Sequence, residues 1–163
     1  MSIRAFVLTA VLAILGGGSA AAQNIIVTLH SDPAGVSLIG DGSDKGEMQL
    51  NTVRKHGGTL PFGLTRTITD ADWTLSSPFG LKVEAEPGLQ SSSYTARAQL
   101  KNDPLWFTWK VNNITLMKGS FVTITSSGPY NVIRQQTFSV LIPDTAPDNA
   151  TLDNEIEWLV IAN

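Results

Sequence analysis

Leu81-Lys82-Val83-Glu84-Ala85-Glu86 and Tyr94-Thr95-Ala96-Arg97-Ala98-Gln99-Leu100-Lys101 each set an apolar residue at every second position with a polar or charged one between. Successive side chains of an extended chain point to opposite faces, so each stretch reads as a strand with one dry and one wet face. Pro87-Gly88 and Ser91-Ser92-Ser93 lie between them. Punctuation at that range predicts an antiparallel hairpin with a long loop, because a parallel crossover needs a longer connection.

The same period governs the rest of the chain after Gln23. Strands are predicted over Ile25 to His30, Val36 to Ile39, Met48 to Val53, Trp106 to Asn112, Phe121 to Thr125, Thr137 to Ile142 and Glu155 to Ile161. Turn signals separate them: Asp32-Pro33-Ala34-Gly35, Gly40-Asp41-Gly42, Lys101-Asn102-Asp103-Pro104, Ser127-Gly128-Pro129 and the stretch from Pro143 to Asn149. The one helical candidate is a short turn around Thr69 to Trp73, with Thr69 as cap and Asp70 and Asp72 near its amino end. Many short, one-sided strands predict an all-β, two-sheet antiparallel sandwich, immunoglobulin-like, with a closed β-barrel as the alternative. No internal repeat or linker divides residues 23–163, which read as a single domain.

Parity also assigns the core. Phe107, Trp109 and Val111 share one side of their strand and Trp106, Thr108 and Lys110 the more polar other, so Phe107 and Trp109 are expected to point inward. At the carboxyl end, Ile156, Trp158 and Val160 alternate with Glu157, Leu159 and Ile161, and only the start of the second set is polar. That strand reads as buried on one face and partly covered on the other, as a central or partner-covered strand is.

Residues 1–22 have the make-up of a secretory leader: a short charged start ending at Arg4, an apolar run from Ala5 to Leu15, and Ser19-Ala20-Ala21-Ala22 before a cleavage site at Gln23. The run is about half the ~20 residues that span a bilayer, so no membrane anchor is expected in the mature chain. Processing would leave about 140 residues, enough for one core. The formal net charge of −3 becomes more negative once Arg4 is removed, which argues against a nucleic-acid or anionic-membrane partner, since both call for a basic face. Cysteine is absent, which excludes disulfides, thiol nucleophiles and thiolate metal sites and leaves stability to burial. Together these features point to a secreted, periplasmic or cell-surface protein of bacterial type.

Catalytic patterns are sparse. His56-Gly57-Gly58 echoes an esterase oxyanion loop, but no Gly-x-Ser-x-Gly elbow accompanies it, and Gly-Gly is itself a turn signal. His30 stands beside Ser31 and Asp32, too close in sequence to converge as a triad. Asp41 to Glu47 opens like a calcium loop and then departs from it, with Lys45 at a ligand place and Thr52 where a bidentate Glu belongs. Asp144, Asp148, Asp153, Glu155 and Glu157 read as a solvated loop leading into a strand. The expectation is a non-enzymatic protein without cofactor or metal. Trp73 and Trp106 are the aromatic residues that alternation accounts for least, and an exposed ring there would stack on a ligand such as a sugar, which makes a small carbohydrate-binding module the alternative.

Two segments, Phe107-Thr108-Trp109-Lys110-Val111-Asn112-Asn113-Ile114-Thr115-Leu116 and the stretch from Gly128-Pro129-Tyr130 to the closing Asn154-Glu155-Ile156-Glu157-Trp158-Leu159-Val160-Ile161-Ala162-Asn163, resemble exported bacterial immunoglobulin-like β-sandwich proteins and, more distantly, pilin-like subunits. The resemblance implies a structural, adhesive or assembly role without catalysis. The commonest pilins carry a cysteine pair that is absent here. An assembly role has support in the residues themselves, because Ile25, Val27 and Leu29 alternate on a strand that starts just after the cleavage site and could be added to a neighbour's sheet. Its partners would be this chain itself or another envelope subunit. The alternative is that the strand pairs within its own sandwich.

Overall fold

A single strand of 14 residues, Asp72–Ala85, forms the spine of the larger sheet, and its sequence explains its length. Trp73, Leu75, Phe79, Leu81 and Val83 fall at every second position and are buried, with buried Ser77 keeping the parity across the middle. The computed structural model describes residues 6–10, 25–31, 55–58, 60, 64–85, 87–147 and 154–163. Its strands, in chain order, are β1 (Phe6–Ala10), β2 (Ile25–Ser31), β3 (Thr65–Ile68), β4 (Asp72–Ala85), β5 (Ser93–Leu100), β6 (Thr108–Val111), β7 (Ile114–Thr115), β8 (Val122–Pro129), β9 (Arg134–Pro143) and β10 (Asn154–Ala162). One sheet runs β1-β10-β5-β8 and the other β2-β4-β9-β6-β7, with β3 also on β4. The ladders between these strands are antiparallel except β1 on β10.

The two sheets face each other over one core. Tyr94, Ala96, Ala98, Leu100, Ile156, Trp158 and Val160 project from one, and the inward set of β4 with Trp109, Val111, Phe138, Val140 and Ile142 from the other. Phe79 and Trp158 meet across the gap edge to face, with centroids 6.2 Å apart and planes at 69°, the arrangement that ring quadrupoles favour. The fold is therefore a sandwich and not a closed barrel. Phe107, Trp109 and Val111 are inward as parity predicts, and Leu159 is buried on the far face of β10.

Three local expectations are corrected. The turn signals at Pro87-Gly88 do not close a hairpin: β4 and β5 belong to different sheets, so the connection is an arch between layers. Thr69 does not cap a helix. Its Oγ1 accepts from the Asp72 amide at 3.1 Å and donates to Asp72 Oδ1 at 2.7 Å, closing the tight turn from β3 into β4. Ser127-Gly128-Pro129 lies inside β8, in a ladder whose register to β5 shifts, and the chain turns only after it. The strands predicted at 36–39 and 48–53, the acidic loop at 41–47, Asp148, Asp153 and the cleavage pattern at 19–22 lie outside the described residues.

Gly128 has a steric reason. Tyr94 is its cross-strand neighbour, and a Cβ at position 128 would stand 2.5 Å from Tyr94 Cζ. The phenol ring lies over the glycine and leans on Tyr130, with centroids 5.4 Å apart. Because Tyr94 is fully buried it has little room to move, so Gly128→Ala is expected to cost about 1–3 kcal/mol through overpacking, read as a lower denaturation midpoint.

The Tyr94 hydroxyl has no hydrogen-bond partner among the described residues. Burial pushes its pKa up, the Arg134 charge acts in the opposite sense, and Tyr130 adds to the rise. A folded-state value above the unfolded value of 10.0 means that this group's contribution is complete below that pH and is lost as pH climbs through the folded value. Tyr94→Phe is therefore expected to match or exceed wild-type stability at neutral pH and to soften the alkaline fall in the denaturation midpoint. An unchanged alkaline profile would assign that loss to other groups.

Candidate functional site

At the end of β5 the chain must leave one sheet and enter the other, and residues 101–107 make that crossing. Leu100 anchors one side, while buried Phe107 and Trp109 anchor the other. Between them Pro104-Leu105-Trp106-Phe107 forms a tight turn closed by the Phe107 amide donating to Pro104 O at 3.0 Å. Leu105 takes the left-handed conformation, at φ 52°. A bulky residue there clashes with its own backbone, so the turn holds strain of about 1–3 kcal/mol. The result is outward projection: Leu105 is 77% exposed and Trp106 52% exposed.

A second loop abuts the first. Leu100 N donates to Met117 O at 3.1 Å, and Lys118 Nζ pairs with Asp103 Oδ2 at 3.0 Å. Met117, 59% exposed, thus belongs to the same end of the sandwich as Leu105 and Trp106. Buried Asn154 braces the crossing from beneath: its Oδ1 accepts from Asn102 N at 3.1 Å and its Nδ2 donates to Asn102 O at 3.0 Å. Beside it, Lys101 Nζ lies 2.7 Å from Glu155 Oε2, and the hydrogen bond and then the charge of Glu155 push the ammonium pKa up. Pairs this exposed add little stability. They fix the position of the loop.

Isolated surface hydrophobic residues are ordinary, but several large ones gathered on two braced loops, one in a strained conformation, are what interaction surfaces show. Sequence parity found Trp106 and missed Leu105 and Met117. The signal for Leu105 was there to read, since Leu-Trp directly after Lys-Asn-Asp-Pro puts two large apolar residues inside a turn.

The structure separates the two tryptophans that the sequence grouped. Trp73 opens the inward face of β4, opposite Ile142, and is 5% exposed, so it is core and offers no stacking surface. Ile25, Val27 and Leu29 pair opposite Ala85, Val83 and Leu81 of the same chain, on an outer strand of the larger sheet. His56-Gly57-Gly58 is a turn region in which Gly57 O accepts from Arg66. Asp144 pairs with Lys55 at 2.6 Å and Glu157 with Gln99 at 2.6 Å. Among the described residues no three His, Cys, Asp or Glu side chains gather as a metal site, and no helix is long and apolar enough to cross a membrane. No protein-family model matches this chain, and no curated protein matches it in sequence.

Proposed function

We propose that this chain is an exported, non-enzymatic β-sandwich that acts in adhesion or assembly at a bacterial surface, with Leu105, Trp106 and Met117 as its contact end. The observation that carries this reading is the strained, braced turn. Folding gains nothing from holding Leu105 and Trp106 in water, whereas a contact surface gains an apolar area already in place. The likeness of residues 107–116 and 128–163 to exported bacterial sandwich proteins favours the same role. Labelled protein is expected to bind isolated bacterial envelopes, and Leu105→Ser with Trp106→Ala to weaken that binding about tenfold or more, at a stability change within about 0.5 kcal/mol. Unchanged binding would overturn the assignment. Leu105→Gly relieves the left-handed strain and is expected to raise stability by up to about 1 kcal/mol while losing contact.

Export is tested separately. Protein recovered from the envelope or medium should begin at Gln23 by mass spectrometry, and an exported chain retaining Met1 would refute the leader.

A carbohydrate-binding module is the second reading, favoured by the exposed Trp106 indole in a loop that also carries exposed Asn102 and Asp103, since a flat ring and flanking polar groups suit a sugar's faces and hydroxyls. Polysaccharide titration followed by tryptophan fluorescence, repeated with Trp106→Ala, decides between the ligands. A response that vanishes in the variant selects the sugar.

A further inference from the structure

β10 lies between β5 and β1, and its backbone direction can be read from both ends. Glu155 O accepts from Lys101 N at 2.9 Å and Asn163 N donates to Ser93 O at 3.0 Å, both on the β5 side. In an antiparallel ladder both backbone groups of alternate residues point the same way, so the odd positions face β5. Asn154, Ile156, Trp158, Val160 and Ala162 therefore turn their N–H and C=O groups to the opposite edge.

In the full chain β1 covers the first part of that edge, pairing in parallel from Phe6 on Asn154 to Ala10 on Trp158. β1 lies within the segment read as a leader. A chain that begins at Gln23 leaves the edge of β10 without this partner.

Natural proteins guard exposed edges with short strands, Pro, Lys or bulges. Two of the other margins show such devices: β8 has Pro129 and a shifted register, and β7 is 2 residues long. β10 has none. It runs 9 residues without Lys, Arg or Pro, pairs with β5 in unbroken register, and ends in Trp158-Leu159-Val160-Ile161-Ala162.

We propose that the processed chain pairs this edge with β10 of a second copy, antiparallel about a two-fold axis at Trp158, and that the leader strand withholds the edge until it is removed. The charge pattern selects partner and direction. The two-fold axis sets Asn154 opposite Ala162 and Ile156 opposite Val160, and on the outer face it sets Glu157 opposite Leu159 and Glu155 opposite Ile161. No carboxylate then meets its copy, whereas parallel in-register pairing would oppose Glu155 to Glu155 and Glu157 to Glu157. A self-complementary edge closes as a dimer, since each copy spends its β10 on the other.

The timing rests on the export reading, and the pairing does not. The test uses the chain beginning at Gln23, in sedimentation and in amide hydrogen exchange. The expected result is a dimer in which the amides of Ile156, Trp158, Val160 and Ala162 exchange slowly. Ile161→Glu, which sets a carboxylate against Glu155 of the second copy, should weaken the dimer about tenfold or more and expose those amides, while Ile161→Lys should retain it. A monomer at all concentrations, equal effects of the two substitutions, or a dimer whose β10 amides exchange freely would each overturn the pairing. The mass of the exported chain, measured independently, decides the fate of the leader.

Discussion

Trp158→Ala is expected to lower the unfolding free energy by about 3–5 kcal/mol, a large part of the 5–15 kcal/mol typical of a domain. Trp158 is buried in the middle of β10 and packs edge to face on Phe79 of the opposite sheet, so the truncation opens a hole where the two layers meet. Trp109→Ala, which removes the ring that leans on Phe138 at 5.5 Å, should cost a similar amount. The Trp158 indole nitrogen has no hydrogen-bond partner among the described residues, so Trp158→Phe should recover most of the loss. Trp106→Ala should barely move the denaturation midpoint. If Trp158→Ala matched wild type and Trp106→Ala did not, the facing of the two sheets would be wrong.

Deleting residues 23–31 is expected to have a comparable effect. The deletion removes the whole ladder of β2 on β4 and bares the edge of β4 from Phe79 to Ala85. If Ile25, Val27 and Leu29 complete this sandwich, their loss at roughly 1.5–3 kcal/mol each should unfold the domain or cost several kcal/mol. A peptide of the same sequence should then restore stability by taking the vacated lane. A truncated chain as stable as wild type, unable to bind that peptide, would reduce the segment to a tether.

Much of this architecture was legible because parity survives wherever one face of a strand is dry. Tyr94 to Leu100 shows it without interruption, and Ile156 to Val160 shows it except at Leu159, which is buried on the far face. β4 shows it too, at Trp73, Leu75, Phe79, Leu81 and Val83, but Ser76-Ser77-Pro78 and Gly80 carry the residues of turns and hid a strand that crosses them. Trp73 was misassigned for the same reason, being read with the acidic turn before it and not as the first inward residue of a strand. The arch at Pro87-Gly88 marks a different limit. Local turn chemistry states that the chain reverses, and it says nothing about whether the next strand joins the same sheet, which is settled by contacts distant in sequence. The proposed contact end was half legible: Trp106 broke its strand's parity, while Met117 became significant only when a second loop came to lie beside it.

Pro78 has a mechanical consequence. It falls between the lanes of β3, whose first residue Thr65 lies opposite Ser76, and β2, whose last residue Ser31 lies opposite Phe79, where no described strand needs the amide that proline lacks. The two outer strands are therefore not continuous along the spine. Tension applied at the amino end of β2 peels its ladder from Ala85 toward Phe79 one residue at a time, and the tear halts at Pro78 with β3 still seated. For a molecule pulled from this end, the gap is a crack arrester: the first segment can come free without the sheet behind it giving way.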